Sequence, residues 1–200
     1  MIKIPKIQYI TRDNDNYTHA EQARLAFNSG VEWVQMRMKN STPAEIIEQS
    51  RLAVYYAISA GGKLIVNDSV DIALEVKAHG IHLGLNDVPV DEARHILGDE
   101  MIIGGTANTL DEVIRQTNRG ADYVGVGPFR FTVTKKNLSP VLGLDGYKDI
   151  IKALDELKIK IPLVAVGGII PDDIPGITNA GITGVAISGG LFEQLIKEDS

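Results

Sequence analysis

Short apolar runs rich in β-branched residues alternate with longer segments of helical period from one end of this 200-residue chain to the other. Parallel strands joined by helical crossovers read this way, because each strand must be covered on its outer face before the chain can return alongside it. Eight strands are expected, at residues 7–11, 32–37, 63–67, 80–84, 101–106, 122–127, 162–167 and 184–188. The intervening segments read as helices. Ser41 to Ala60 opens with Ser-Thr-Pro-Ala-Glu, a capping residue followed by proline near the first turn, and then spaces Ile46, Ile47, Leu52, Val54 and Ile58 for a helix. Asp71 to Lys77, Val90 to Leu97, Leu110 to Asn118, Gly146 to Leu157 and Leu191 to Lys197 behave alike, several being closed by Gly80, Gly98 or Gly120. Eight strands and about eight helices favour a single α/β domain over residues 1–200, a (β/α)8 TIM barrel. A doubly wound open sheet is the alternative with the same alternation.

Composition narrows the chemistry. Twenty basic against 26 acidic side chains leave a net charge of −6, which argues against wrapping a nucleic acid. The absence of cysteine excludes disulfides, thiolate metal sites and thiol nucleophiles. The opening MIKIPKIQYI lacks a signal-peptide core, and no stretch reads as a membrane span, so a cytoplasmic protein is expected.

Polar groups recur where strands end, the side on which barrels carry active sites. In VQMRMK, Gln35, Arg37 and Lys39 alternate with Met36 and Met38, so a persisting strand points all three polar groups to one face; a solvated edge strand is the plainer reading. Asn67 and Asp68 follow one apolar run and Asp87 the next, placing two hard oxygen donors at neighbouring strand ends, suited to magnesium shared with a substrate phosphate. Either aspartate could equally cap the helix that follows it. Thr132, Thr134, Lys135 and Lys136 in the loop after strand six offer hydroxyl and ammonium donors for phosphate, unless that loop is merely solvated. Gly167-Gly168 and Ser188-Gly189-Gly190 end strands seven and eight, where free amides can bind phosphate or simply turn the chain. His82, inside an apolar strand, reads as a satisfied interior histidine. No P-loop, G-x-S-x-G elbow or G-x-G-x-x-G is present.

Taken in order, QMRMK, IVND, GIHLGLND, GVGPFRFTVTK, VAVGGI and VAISGG resemble the motifs of the thiamine phosphate synthase (thiamine-phosphate pyrophosphorylase) family over nearly the whole chain. The resemblance implies a (β/α)8 barrel, commonly a homodimer, that joins 4-amino-5-hydroxymethyl-2-methylpyrimidine diphosphate to 4-methyl-5-(2-phosphoethyl)thiazole with Mg2+ and releases diphosphate. It implies that Asp68 and Asp87 hold magnesium and that Arg37, Lys39, Asn67 and Lys135 contact the diphosphate. Gln35 would lie near the pyrimidine and Thr106 at the family's serine position. Thr132 and Thr134 would line the thiazole phosphate pocket, with Gly168, Ile187 and Ser188 holding that phosphate. Lys135, Arg37 and Gln35 would carry most of the catalysis. Three residues depart from the family pattern: Leu85 for glutamine, Val133 for proline and Asn108 for histidine. Asn108 also bears on the rival reading of a thiazole phosphate tautomerase, since an amide cannot act as its acid–base group. A catalytically idle paralogue that binds thiamine phosphate is the reading from another class. The segment 132–142, bounded by Gly127 and Gly143, is a candidate lid.

Overall fold

In the computed structural model, which describes residues 2–131 and 140–198 (the side chain of Glu198 excepted), all eight expected strands form. They are β1 (Ile7–Ile10), β2 (Trp33–Met36), β3 (Lys63–Asn67), β4 (Gly80–Leu83), β5 (Ile102–Ala107), β6 (Tyr123–Val126), β7 (Leu163–Val166) and β8 (Gly184–Ile187). Every neighbouring pair is parallel, and β8 returns to β1 through Gln8↔Ala186, so the sheet closes and the open-sheet alternative is set aside. The helices are α1 (His19–Asn28), α2 (Pro43–Ala60), α3 (Val70–Glu75), α4 (Val90–Leu97), α5 (Leu110–Asn118), α6 (Gly143–Glu156), α7 (Ile174–Asn179) and α8 (Gly189–Glu198). Among the described residues, no helix is long and apolar enough to cross a membrane.

Strand parity splits the core in two. Trp33, Ile65, Ile102, Tyr123, Val164 and Ala186 fill the barrel, with Ile4 closing its lower end. The alternate residues, among them Val34, Met36, Leu64, Val66, Ile81 and Ile103, point outward into the layer between strands and helices.

Local sequence explains the helix starts. Thr18 and Glu21 at α1, and Thr42 and Glu45 at α2, form reciprocal capping boxes, and Pro43 occupies the first turn of α2. Ser69 caps α3 by accepting the Ile72 amide at 3.3 Å.

Gly80 does not close a helix. It opens β4 inside the barrel, where an added Cβ would meet Ile102 Cβ at 2.7 Å and Ile65 Cδ1 at 2.8 Å. Helix α3 ends instead at Val76, and Lys77 takes the left-handed turn with φ 54°. The strand expected over 32–37, whose polar ladder would reach Lys39 only if it persisted, likewise stops at Met36. There the Thr11 amide donates to the Gln35 carbonyl at 3.0 Å, and the Arg37 amide donates to Thr11 Oγ1 at 3.0 Å. A side chain thus takes the place of the next ladder partner, and Arg37 and Lys39 stand on the loop beyond β2.

The lower, N-terminal face is held by Arg94. Its guanidinium donates to the carbonyls of Gly98 (2.9 Å) and Met101 (2.6 Å) and to Asp122 Oδ2 (2.7 Å), which also accepts the Ile103 amide at 2.8 Å. Arg94→Ala is expected to cost about 2 kcal/mol, within the range for hydrogen bonds to charged groups. Urea unfolding measures it, and a loss below roughly 0.5 kcal/mol, the level of an ordinary surface substitution, would dismiss this account.

Candidate active site

The upper rim collects the polar residues that the sequence places at strand ends. Gln35 is the last inward-facing residue of β2 and is 95 % enclosed, being 5 % exposed. Asn67 shares that inward parity at the end of β3 and is half-buried. Asp68, next in the chain, has φ 68°, a left-handed conformation that aspartate tolerates better than most residues. Its amide donates to the His82 carbonyl at 2.9 Å, and its carboxylate forms an ion pair with Lys39.

Neither aspartate is a helix cap. Ser69 takes that role at α3, and Pro89 precedes α4 without a side-chain cap. Asp87 instead folds back, its Oδ2 accepting the Gly84 amide at 2.6 Å, with Leu85 exposed on the turn between them. Burial pushes the Asp87 carboxyl above its ordinary value, and Asp68 adds to the shift by hydrogen bond and charge, against the Gly84 amide and Lys39. Asp68, Asp87 and Lys39 are therefore one electrostatic group at the ends of β2, β3 and β4.

Deeper in the barrel, Thr106 Oγ1 lies 3.0 Å from His82 Nε2, and His82 Nδ1 lies 3.2 Å from the Tyr123 hydroxyl. Both ring nitrogens thus have partners, as expected of an interior histidine. Burial pushes the Tyr123 hydroxyl far up, so it remains a neutral phenol that holds the ring. Room for this chain comes from Gly104 and Gly125: an added Cβ would sit 2.6 Å from His82 Nδ1 at the first and 2.9 Å from His82 Cε1 at the second.

Asn108 is 8 % exposed and structural: its Nδ2 donates to the Gly127 carbonyl, tying the end of β5 to the end of β6, while its amide donates to Glu112 Oε2 at 2.6 Å. On the far side of the rim, Gly167 and Gly168 have φ 96° and 69°, Ile187 is buried, and Ser188 begins the turn into α8. Thr132, Thr134 and Lys135, with Val133 and most of the proposed lid, lie outside the described residues.

Other site elements had escaped the sequence reading. His19, 7 % exposed, sets Nδ1 2.7 Å from Thr11 Oγ1 and Nε2 3.2 Å from Asp13 Oδ1, and Asn40 donates to Asp13 Oδ2 at 2.7 Å. This network fixes Thr11, and through it the Arg37 backbone. Arg12, just beyond β1, lies beside the start of α8, so that an added Cβ on Gly189 would meet its Nη1 at 2.6 Å. Arg130 pairs with Asp173 between the loops after β6 and β7. His19 meets Thr11 and Asp13 within one β1–α1 connection, whereas the Asn40–Asp13, Arg12–Gly189 and Arg130–Asp173 approaches depend on which loops the barrel brings together.

The His19 network gives a pH signature. Burial lowers the His19 pKa from 6.5, opposed by Asp13; burial, with Lys63, lowers His79 as well. A base with a depressed folded-state pKa binds fewer protons folded than unfolded, so its stability contribution is complete above the unfolded value and is lost as pH falls through it. The melting temperature should therefore drop below about pH 6.5, and His19→Asn should flatten part of that slope. Parallel curves for variant and parent would refute a role for His19 in it.

The profile of the family described as thiamine monophosphate synthase matches residues 7–191. The chain is 46 % identical over 187 residues to the thiamine-phosphate synthase of Bacteroides fragilis, covering 94 % of this chain and 92 % of that one. It is 48 % identical over 191 residues to that of Phocaeicola vulgatus, covering 95 % and 91 %. This chain belongs to the thiamine monophosphate synthase family. Its fold agrees: a thiamine phosphate pyrophosphorylase from Pyrococcus furiosus superimposes with a TM-score of 0.81 at 29 % identity, over 96 % of both chains. The family is one of transferases, and the rim just described is where its chemistry is to be sought.

Proposed function

We propose that the protein is a thiamine-phosphate synthase that joins 4-amino-5-hydroxymethyl-2-methylpyrimidine diphosphate to 4-methyl-5-(2-phosphoethyl)thiazole. The observation that carries this reading, beyond family membership, is the convergence of Lys39, Asp68 and Asp87 on neighbouring strand ends with Gln35 enclosed beside them. A diphosphate needs cationic donors, and a metal bound to it needs hard oxygen donors; both kinds stand together here.

Magnesium suits this donor set. Two facing carboxylates repel unless a cation or proton lies between them. That favours a hydrated ion held by Asp68 and Asp87 and completed by substrate oxygens. Bound there, magnesium would neutralise charge on the departing diphosphate.

In this reading Arg37, Lys39 and Asn67 bind the diphosphate and aim its bond to the pyrimidine methylene, and Lys135 is proposed to join them from the loop after β6. Gln35 orients the pyrimidine, and Thr106, held by His82, faces the reacting centre. The methylene–oxygen bond breaks with its electron pair leaving on diphosphate, and the thiazole nitrogen supplies the pair for the new carbon–nitrogen bond. No protein nucleophile is needed; alignment and exclusion of water do the work. Thr132, Thr134, Gly168, Ile187 and Ser188 are proposed for the thiazole phosphate. A cytoplasmic homodimer fits the same reading. The tautomerase alternative loses support because Asn108 is an amide engaged with the Gly127 carbonyl.

The test is formation of diphosphate and thiamine phosphate from both substrates by the purified protein, with magnesium and with a chelator. Equal yields of the two products that require magnesium support the proposal. Thiamine phosphate binding without turnover would replace it with the idle paralogue.

A further inference from the structure

Three successive carbonyls, from the last residue of β7 onward, are engaged by one neighbouring loop. The Val166 carbonyl accepts the Phe129 amide at 2.9 Å, and the Gly167 carbonyl accepts the Arg130 amide at 3.1 Å. The Gly168 carbonyl accepts Arg130 Nη1 at 2.7 Å. The guanidinium also grips Asp173 as a two-pronged pair, Nη1 to Oδ2 at 2.7 Å and Nη2 to Oδ1 at 2.8 Å, while Asp173 Oδ2 accepts the Ile170 amide at 2.9 Å. The fork geometry of arginine is what permits both prongs and the carbonyl contact at once.

A trans peptide points its N–H opposite to its C=O. The only cis bond among the described residues is Gly127–Pro128, so the amides of Gly167, Gly168 and Ile169 are directed away from the Arg130 loop. With Gly167 and Gly168 both at positive φ, they form a run of amides turned to one side, the kind of backbone concavity that receives an anion. Gly168 also yields space to the clamp, since an added Cβ would lie 2.5 Å from Arg130 Cγ.

We infer that Arg130 and Asp173 are positioning residues that hold the Gly167–Gly168 backbone in the shape that binds the phosphate of the second substrate. This rests on the reading of function above, and it assigns the pair to one substrate only. The turn after β7 lies across the closed ring from Asp68 and Asp87, which stand at the ends of β3 and β4.

A rival role, Arg130 as a direct cationic contact to that phosphate, predicts the opposite response to one substitution. Asp173→Asn would free the guanidinium and tighten binding if Arg130 touched the phosphate; as a clamp, the loosened fork weakens it. The experiment is calorimetric titration of 4-methyl-5-(2-phosphoethyl)thiazole, which needs no turnover, into the full-length protein and its Asp173→Asn, Arg130→Ala and Arg130→Lys variants, with folding checked by circular dichroism. All three are expected to bind roughly tenfold more weakly, about 1.4 kcal/mol. Arg130→Lys should fail to rescue, because one ammonium cannot reproduce the fork. In steady state the KM for the thiazole should rise while that for the pyrimidine diphosphate and the magnesium requirement stay put. Tighter or unchanged binding by folded Asp173→Asn overturns the clamp alone; equal losses for both substrates also overturn it. A parent protein that fails to bind the thiazole phosphate overturns the reading of function and the clamp with it.

Discussion

Asp87→Asn is expected to slow thiamine phosphate formation by about a hundredfold or more and, in chelator, to raise the melting temperature. The loss follows from the proposed magnesium site, since metal polarisation contributes several kcal/mol to such a step and each ~1.4 kcal/mol is a factor of ten. The gain follows from electrostatics. Burial and Asp68 raise the Asp87 pKa, so the folded state disfavours the charged carboxylate. An acid with a raised folded-state pKa lends stability only while protonated, and that contribution is lost as pH rises through the folded value. At neutral pH the charge is therefore a burden that an amide relieves, while its carbonyl oxygen can still accept the Gly84 amide. Magnesium should stabilise the parent and not the variant. Thermal melts with chelator and with magnesium, beside initial rates, decide the matter. A variant that melts lower in chelator, or one that keeps parental rate and magnesium dependence, would make Asp87 a structural loop residue.

The second large effect concerns stability. Gly104→Ala would drive a methyl group to within 2.6 Å of both His82 Nδ1 and Tyr123 Cε1 in the barrel interior. Tyr123 is 1 % exposed and packs edge-on against Trp33 at 5.9 Å, so the ring has nowhere to go. Overpacking of this kind costs about 1–3 kcal/mol and more where neighbours are rigid; about 3 kcal/mol is expected. Displacing His82 also releases Thr106, so the rate should fall in whatever fraction stays folded. Gly176→Ala is the contrast: in α7 the nearest atom to an added Cβ is Leu144 Cδ1 at 3.6 Å, and helix propensity favours alanine by roughly 0.5–1 kcal/mol. Urea unfolding of both variants is the measurement. Equal stabilities would show that the barrel accommodates the methyl.

Much of this site was legible before any coordinates because its residues stand beside strand ends, and strand ends are local features. The alternation in VQMRM placed Gln35 inward and Met36 outward through nearest-neighbour geometry alone. The same reasoning misjudged Arg37 and Lys39, since Thr11, just beyond β1, accepts the Arg37 amide and β2 ends at Met36, one residue before Arg37 could extend the ladder. Gly80 was misread as a helix stop because glycine has two unrelated uses, positive φ and close packing. Which one applies depends on Ile102 and Ile65, whose approach only the register of β3, β4 and β5 establishes.

The sequence by itself determined the eight-fold alternation, the opposite facing of Gln35 and Met36 and the capping residues that begin α2, because these depend on periodicities and contacts within a few residues. The tertiary structure decided the closure of β8 onto β1, the space that Gly104 and Gly125 leave for His82, and the pairing of Arg130 with Asp173, 43 positions apart. Those depend on register and tilt around the ring, which bring together side chains whose separation along the chain carries no signal of their contact.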